Sequence, residues 1–478
     1  MVEKKYKFIS QPRHPTENRR FVAGRGNFVA DIDRPEMLHV APLSSHYPAA
    51  IINNIDISEA MMMDGVIDVI TGAEIGAAIQ PLMNGLDTPK VQRFPLAVNR
   101  VRYAGEWVCA VVAETRAIAE DALERIIIDA TPQPFVLDAE EALLPSSPPV
   151  HPEHGSNLLL DRKFVWGTVS EDFVKAEHNL SFSVMWGRNS TVPIETFGVI
   201  AEWNGWDNIL DVWASVQMPK YSDQIARCLN LPGNAVRVHY DVDVGGSYGV
   251  KRGIKHATLI GYIARKLGRP IRFIEDRLEN MRAGDAHGPE RKFNVEVAFE
   301  SDGSVRSMKM RALDNAGAYA GRAPFQLGKP ISAIVAPYQI NSVSYHAISV
   351  TSNKTVQEAV RGFGQAPTNY AIETAMDRVA SFLKMDRLAL RQRNLIRSEQ
   401  FPYLIPSGST YDSGDYHAVI EKVLTAADYP TLLANRDHLR DEGMMAGIGI
   451  AACLEPSGGN SSFEPLLNES NKTSTWME

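Results

Sequence analysis

Cysteine is scarce: the 478-residue chain has three, Cys109, Cys228 and Cys453, far apart in sequence. They cannot supply a disulfide framework, a CxxC zinc knuckle or the four thiolates of an iron–sulfur cluster, and a reducing compartment is the simplest expectation. Long apolar runs are also missing. The richest stretch, 65–79, carries Asp68 and Glu74, short of the roughly eighteen uninterrupted apolar residues of a membrane span. The opening MVEKKYKFISQPRHP has no apolar core of a secretory signal. The expectation is a soluble, cytoplasmic protein.

Surplus positive charge is lacking too: 49 basic against 57 acidic residues gives −8, a poor match for binding nucleic acid through phosphates. No fixed-period repeat or low-complexity tract breaks the chain. HExxH, Walker A and GxGxxG patterns are all absent, so no zinc hydrolase, P-loop or dinucleotide site is nominated. The twelve histidines form no metal-ligand pattern. With 44% hydrophobic and 22% charged residues the composition is that of a globular protein. The length suits two large domains or three smaller ones.

What is present divides in two. To about residue 143, WVCAVVA (Trp107–Ala113) reads as a buried strand and Thr115 as the cap of a helix carrying Ile118, Ala119, Ala122 and Leu123. A second strand is expected over 125–129. The stretch 144–155, LPSSPPVHPEHG, holds four prolines in twelve residues and is the best linker candidate. Beyond it strand patterns prevail: 210–216, 235–244 with alternating valines, and a hairpin of 293–299 and 305–313 turning at Ser301-Asp302-Gly303. Helices are expected over 254–267, stopped by Gly268 and Pro270, over 371–383, and from an Asp386 cap to about Leu395. The class is α+β in two unequal parts.

Two loops could carry chemistry. Val242-Asp243-Val244-Gly245-Gly246-Ser247-Tyr248-Gly249-Val250-Lys251 runs from a strand towards a helix. Its glycines allow close backbone approach to a ligand, and its N–H groups suit an anion. A ligand-free tight turn explains the same residues at least as well. In Glu358-Ala359-Val360-Arg361-Gly362-Phe363-Gly364-Gln365, Arg361 could bridge an oxo or phosphate group and Phe363 could stack on a planar ring. A buried aromatic in the turn before a helix is the plainer reading. Gln217, at a strand end, could donate a hydrogen bond into a site, while Glu195 reads as a surface or structural carboxylate.

Taken in order, these segments resemble the large, molybdopterin-binding subunit of the xanthine dehydrogenase and aldehyde oxidase family, the molybdenum hydroxylases. GRGNFVADI (24–32), LHVAPLSSHYPAAI (38–51) and NRVRYAGEWVCAVVAET (99–115) resemble its N-terminal α/β hammerhead domain. VQMP (216–219), the glycine loop, DNAGAYA (314–320), AVRGFGQAP (359–367), LRQRNLI (390–396) and YDSGDY (411–416) resemble its first cofactor-binding domain. The resemblance implies a hammerhead domain over 1–143, a linker over 144–155 and a first molybdenum cofactor domain over 156–478. It implies molybdopterin, whether or not in the cytosine dinucleotide form, with molybdenum held by the pterin dithiolene and no protein ligand to the metal.

By the same resemblance Gln217 hydrogen-bonds an oxygen ligand of molybdenum. Gly245, Gly246, Tyr248 and Gly249 lie against the cofactor, Tyr248 in place of the usual Phe. Arg361 stands beside the cofactor and Phe363 packs on a planar substrate. Where xanthine-oxidising members carry a substrate-binding glutamate this chain has Arg252, and Lys329 falls where they place an arginine. Arg252 and Lys329 suit an anionic ring, such as a heteroaromatic carboxylate. Carbon monoxide dehydrogenase is disfavoured, because its loop cysteine has no counterpart between Ala359 and Gln365. After GIGIAACLEPSGGN (447–460) members continue into a second cofactor domain bearing the glutamate base, whereas this sequence ends at Glu478. The expectation is therefore one half of a split subunit, similar to nicotinate dehydrogenase-type enzymes, or a fragment of a longer chain. No catalytic base is assigned here. A second molybdopterin-binding subunit, an iron–sulfur subunit carrying [2Fe-2S] and an FAD subunit are the implied partners. Aldehyde oxidation and a non-catalytic cofactor-holding module are the alternatives to N-heterocycle hydroxylation.

Overall fold

All seven residues of Trp107–Ala113 are buried, because the strand pairs antiparallel on both sides, with Leu38–Ser44 and with Val66–Thr71. In the computed structural model, which describes residues 7, 8, 11–82 and 91–456, that strand belongs to a seven-stranded sheet. Its order is Val236–His239, Ile209–Ala214, Gly198–Asn204, Ile271–Ile274, Leu38–Ser44, Trp107–Ala113 and Val66–Thr71. The sheet thus draws strands from both sections of the chain, joined where Leu38 pairs in parallel with Ile271. Helix Lys255–Leu267 packs on it through Leu259, Ile260 and Ile263, all buried in one cluster with Leu210, Val212 and Phe273.

A five-stranded sheet has the order Leu158–Trp166, Ser342–Thr351, Val305–Gly317, Arg291–Phe299 and His178–Trp186. Its centre is the expected hairpin, closed where Glu300 and Ser304 pair. Helix Gln365–Leu383 covers this sheet, Ile372, Ala375, Met376 and Val379 meeting Phe293, Val295 and Val297 in a second core. A three-stranded sheet of Arg100–Val101, Ala50–Asp56 and Ile127–Pro132 completes the N-terminal section. The fold is α+β, and no helix among the described residues is long and apolar enough to cross a membrane.

Several boundaries differ from expectation for identifiable reasons. Thr115 accepts from Ile118 N as a cap should, but turns continue through Ile126, so the next strand starts at Ile127. The strand expected over 235–244 spans Val236–His239, because Asp243 N donates instead to Asn27 O. The helix expected from Ala371 begins at Gln365; Pro367 is tolerated in its first turn, where N–H groups have no intrahelical partner. Val150 and His151, within the proline-rich stretch, are buried. Residues 457–478, on which the expectation of a truncated cofactor region was placed, lie outside the described residues.

Candidate cofactor and substrate site

The glycine turn connects Val236–His239 of the large sheet to helix Lys255–Leu267. Side chains from elsewhere fix it at three points. Asp243 accepts from Arg20 through both oxygens at 2.5 Å and from Asn27 N at 2.7 Å. Glu195 Oε2 accepts from Gly245 N at 2.7 Å and from Lys251 Nζ at 2.6 Å, clasping the turn at both ends. Lys251 is 1% exposed; burial lowers its pKa, and the ion pair with Glu195 opposes that shift. Gln217 Oε1 accepts from Gly249 N at 3.1 Å, and Gln217 N donates to Lys251 O at 3.1 Å.

The second loop docks onto the first. Arg361 N donates to Tyr248 O at 2.6 Å. Gly249 has φ +112°, and a Cβ there would lie 2.4 Å from Ala359 O, so only glycine lets the two backbones touch. Gly364, at φ +86°, precedes helix Gln365–Leu383, and a Cβ on it would fall 1.7 Å from Gln326 O. The structure therefore gathers Gln217, Gly245, Gly246, Tyr248, Gly249 and Arg361 into one constellation. Phe363 is half-buried against the core beneath the helix. Lys329 pairs with Glu455, Nζ to Oε1 at 2.5 Å.

Three residues not anticipated from the sequence stand behind the turn. Arg322 Nε is 3.5 Å from Glu358 Oε2, and Arg93 Nη1 is 3.8 Å from Glu358 Oε1. Burial, then the charge of Asp285, push the Glu358 carboxyl up to about 7, against the pull of the arginines. Glu358 sits three positions before Arg361 and Arg322 two after Ala320, but nothing in their spacing signals that they meet. Glu195, expected to be a surface or structural carboxylate, is the organiser of the glycine turn.

The donor set indicates what the constellation can hold. Among the described residues no group of three His, Cys, Asp or Glu side chains could bind a metal ion. The NH2 of Gln217 and the guanidinium of Arg361 have no partner among the described residues, and both residues are exposed. Neutral N–H groups and a planar cation suit an anionic organic cofactor that brings its own metal ligands.

Comparison with known proteins agrees. The model of the molybdopterin cofactor-binding domain matches residues 150–395. The a/b hammerhead domain of aldehyde oxidase and xanthine dehydrogenase matches residues 23–134. The chain belongs to the molybdopterin-binding large subunits of the aldehyde oxidase and xanthine dehydrogenase family. It is 32% identical over 457 residues to the nicotine 6-hydroxylase large subunit of Paenarthrobacter nicotinovorans, covering 93% of this chain and 55% of that one. It is 30% identical to the 6-hydroxypseudooxynicotine dehydrogenase complex subunit gamma of the same organism, covering 94% and 58%. Quinoline 2-oxidoreductase from Pseudomonas putida 86 superposes with a TM-score of 0.83 at 29% identity, covering 90% of this chain and 55% of that structure. The chain thus spans about half the length of the curated relatives it matches.

Proposed function

We propose that the chain holds the molybdenum cofactor of a hydroxylase that oxidises a carbon beside the ring nitrogen of an N-heteroaromatic substrate, with water as the oxygen source. The two electrons leave to FAD and [2Fe-2S] groups on partner polypeptides. The domain division is a hammerhead domain over 1–143, a linker over 144–155 and a first cofactor domain from 156. The relatives named for nicotine and quinoline support the substrate class.

One observation carries the reading: Gln217 spends its carbonyl on Gly249 N and keeps its NH2, beside the Tyr248–Arg361 junction. When bound, the cofactor supplies the two-electron redox centre and the activated oxygen. The chain's own work is to hold and orient. The Gln217 NH2 donates to an oxygen of the cofactor, Gly245, Gly246 and Gly249 bring backbone against it, and Arg361 balances its negative charge. The ring of Phe363 offers a face to a planar substrate. Of the two cations the sequence offers to an anionic substituent, Arg252 and Lys329, the second is paired with Glu455.

The test is native mass spectrometry with metal and pterin analysis on the untagged assembly from its own host, followed by turnover. About one molybdenum and one pterin per copy of this chain are expected, together with flavin and iron–sulfur partners and faster turnover of an N-heteroaromatic than of a simple aldehyde. Released cytosine nucleotide would identify the dinucleotide form. A faster aldehyde rate would transfer the chain to aldehyde oxidation. A metal-loaded particle without any turnover would make it a holding module, and a particle without pterin would overturn the reading entirely.

A further inference from the structure

Glu358 is buried, yet its side chain is not what holds the backbone around it. Its N–H donates to His287 O at 2.8 Å, and its C=O accepts from Gln326 Nε2 at 3.0 Å. The carboxylate reaches two guanidiniums instead, with Arg322 Nε 3.5 Å from Oε2 and Arg93 Nη1 3.8 Å from Oε1. Arg252 is the third cation whose charge bears on it, and Asp285 is the acid. Asp285 is itself paired with Arg93 and lies 3.9 Å from Lys255 Nζ. On its far side Arg322 donates from Nη2 to Sδ of Met218 at 3.6 Å.

Met218 follows Gln217, whose Oε1 accepts from Gly249 N, and Glu358 precedes Arg361 by three residues in the second loop. Arg322 also caps helix Ala323–Gly328, whose Gln326 O backs Gly364. Arg322 therefore stands where the strand end bearing Gln217 meets the loop bearing Arg361. A guanidinium on a long side chain has many positions open to it, and a carboxylate facing its Nε selects among them. Keeping that carboxylate ionised is costly, because burial and then the charge of Asp285 push it from the ordinary 4.5 up to about 7. A group that costs stability in its charged form fits a functional position better than a structural one. We propose that Glu358 is a positioning residue of the cofactor site: its carboxylate orients the Arg322 guanidinium against Met218 and so sets the Gln217 amide relative to Arg361. The inference rests on the reading of Gln217 and Arg361 as cofactor contacts.

The experiment uses the assembled holoenzyme, its pterin content measured first, and follows pterin release on dialysis at pH 6 and pH 8 beside thermal melts. The wild type should release pterin several times faster at pH 6, where the Glu358 carboxyl takes up a proton and loosens its hold on Arg322. Glu358→Gln should release it about tenfold faster than the wild type at pH 8, the scale of one lost charge-assisted hydrogen bond, and equally fast at both pH values. Stability runs the other way. A carboxyl raised from 4.5 to about 7 contributes stability that is complete below 4.5 and lost as pH rises through 7. Glu358→Gln is neutral throughout and should melt no lower than the wild type at pH 8. Melting and retention that fall together, or a variant that does not fold, would make Glu358 structural and overturn the proposal. So would a Glu358→Gln assembly that keeps the wild-type release and its pH dependence. The double variant Glu358→Gln/Arg322→Gln should release pterin no faster than the worse single, and multiplied losses would show that the two side chains act separately, against the proposal. A wild-type particle without pterin overturns the cofactor reading itself, whereas all the other failures leave that reading standing.

Discussion

The turn around Gly245–Gly249 is held from outside, by the carboxylates of Asp243 and Glu195, the ammonium of Lys251 and the amide of Gln217. The turn at Arg361–Gly364 is held by shape. Gly362, Phe363 and Gly364 all have positive φ, its internal hydrogen bonds are backbone to backbone, and its last glycine rests on the carbonyl of Gln326 in the short helix Ala323–Gly328. The first turn should therefore fail when a charge is removed, and the second when bulk is added. Where they touch, at Gly249 and Ala359, both rules apply.

Gly364→Ala should give the largest effect. Its Cβ would overlap Gln326 O, a backbone atom that cannot swing aside, at a φ that L side chains rarely adopt. Loss of folded protein or destabilisation above about 4 kcal/mol is expected, in the exceptional tail for single substitutions, read as yield and Tm of the purified assembly. Gly249→Ala comes next. A Cβ 2.4 Å from Ala359 O would part the two turns without disturbing either core. Pterin content should fall on the order of tenfold or more, the scale of an ångström-level misplacement, with Tm changing far less. Equal losses of Tm in the two variants would erase the distinction between the turns.

How much of this was legible in the sequence follows the same division. Local rules found Trp107–Ala113, the Thr115 and Asp386 caps and the hairpin turning near Gly303, because burial periodicity and capping chemistry act over a few residues. The valine alternation from 236 to 244 misled, since its second half is pulled from the ladder by contacts with Arg20 and Asn27, more than 210 residues away. The two loops and Gln217 were readable through resemblance, and the structure brings them together. Glu195, Arg322 and Glu358 were not, because a carboxylate that bonds an amide fifty residues on leaves no pattern in composition or period.

Lys251→Met tests the externally held turn by charge. It would strand Glu195 beside Gly245 without its cation, and breaking a largely buried pair costs about 3 kcal/mol. Because Glu195 keeps some exposure, the low end of that range is expected. The double variant Glu195→Gln/Lys251→Met should be less destabilised than the sum of the singles, by a coupling measurable in thermal melts. Additive losses would mean that the two side chains do not act as a clasp.

The smallest effect belongs to Asp243. Hydrogen bonds from Arg20 hold its carboxyl down to about 2, below the ordinary 3.8. A folded pKa below the unfolded one means stability that is complete above about 3.8 and lost as pH falls towards 2. The Arg20 side chain keeps 34% of its surface exposed, so the contribution is modest and weakens with salt. What it holds is the segment around Asn27 against the start of the glycine turn. Pepsin cleavage of residues 11–27 should accelerate between pH 4 and pH 2.5. At neutral pH, trypsin should cut after Arg25 sooner in Asp243→Asn than in the wild type, and raising the salt should narrow the difference. Identical digestion at every pH would show that this end of the turn is held by the backbone bond from Asp243 N to Asn27 O instead, making the first turn less dependent on charge than the comparison requires.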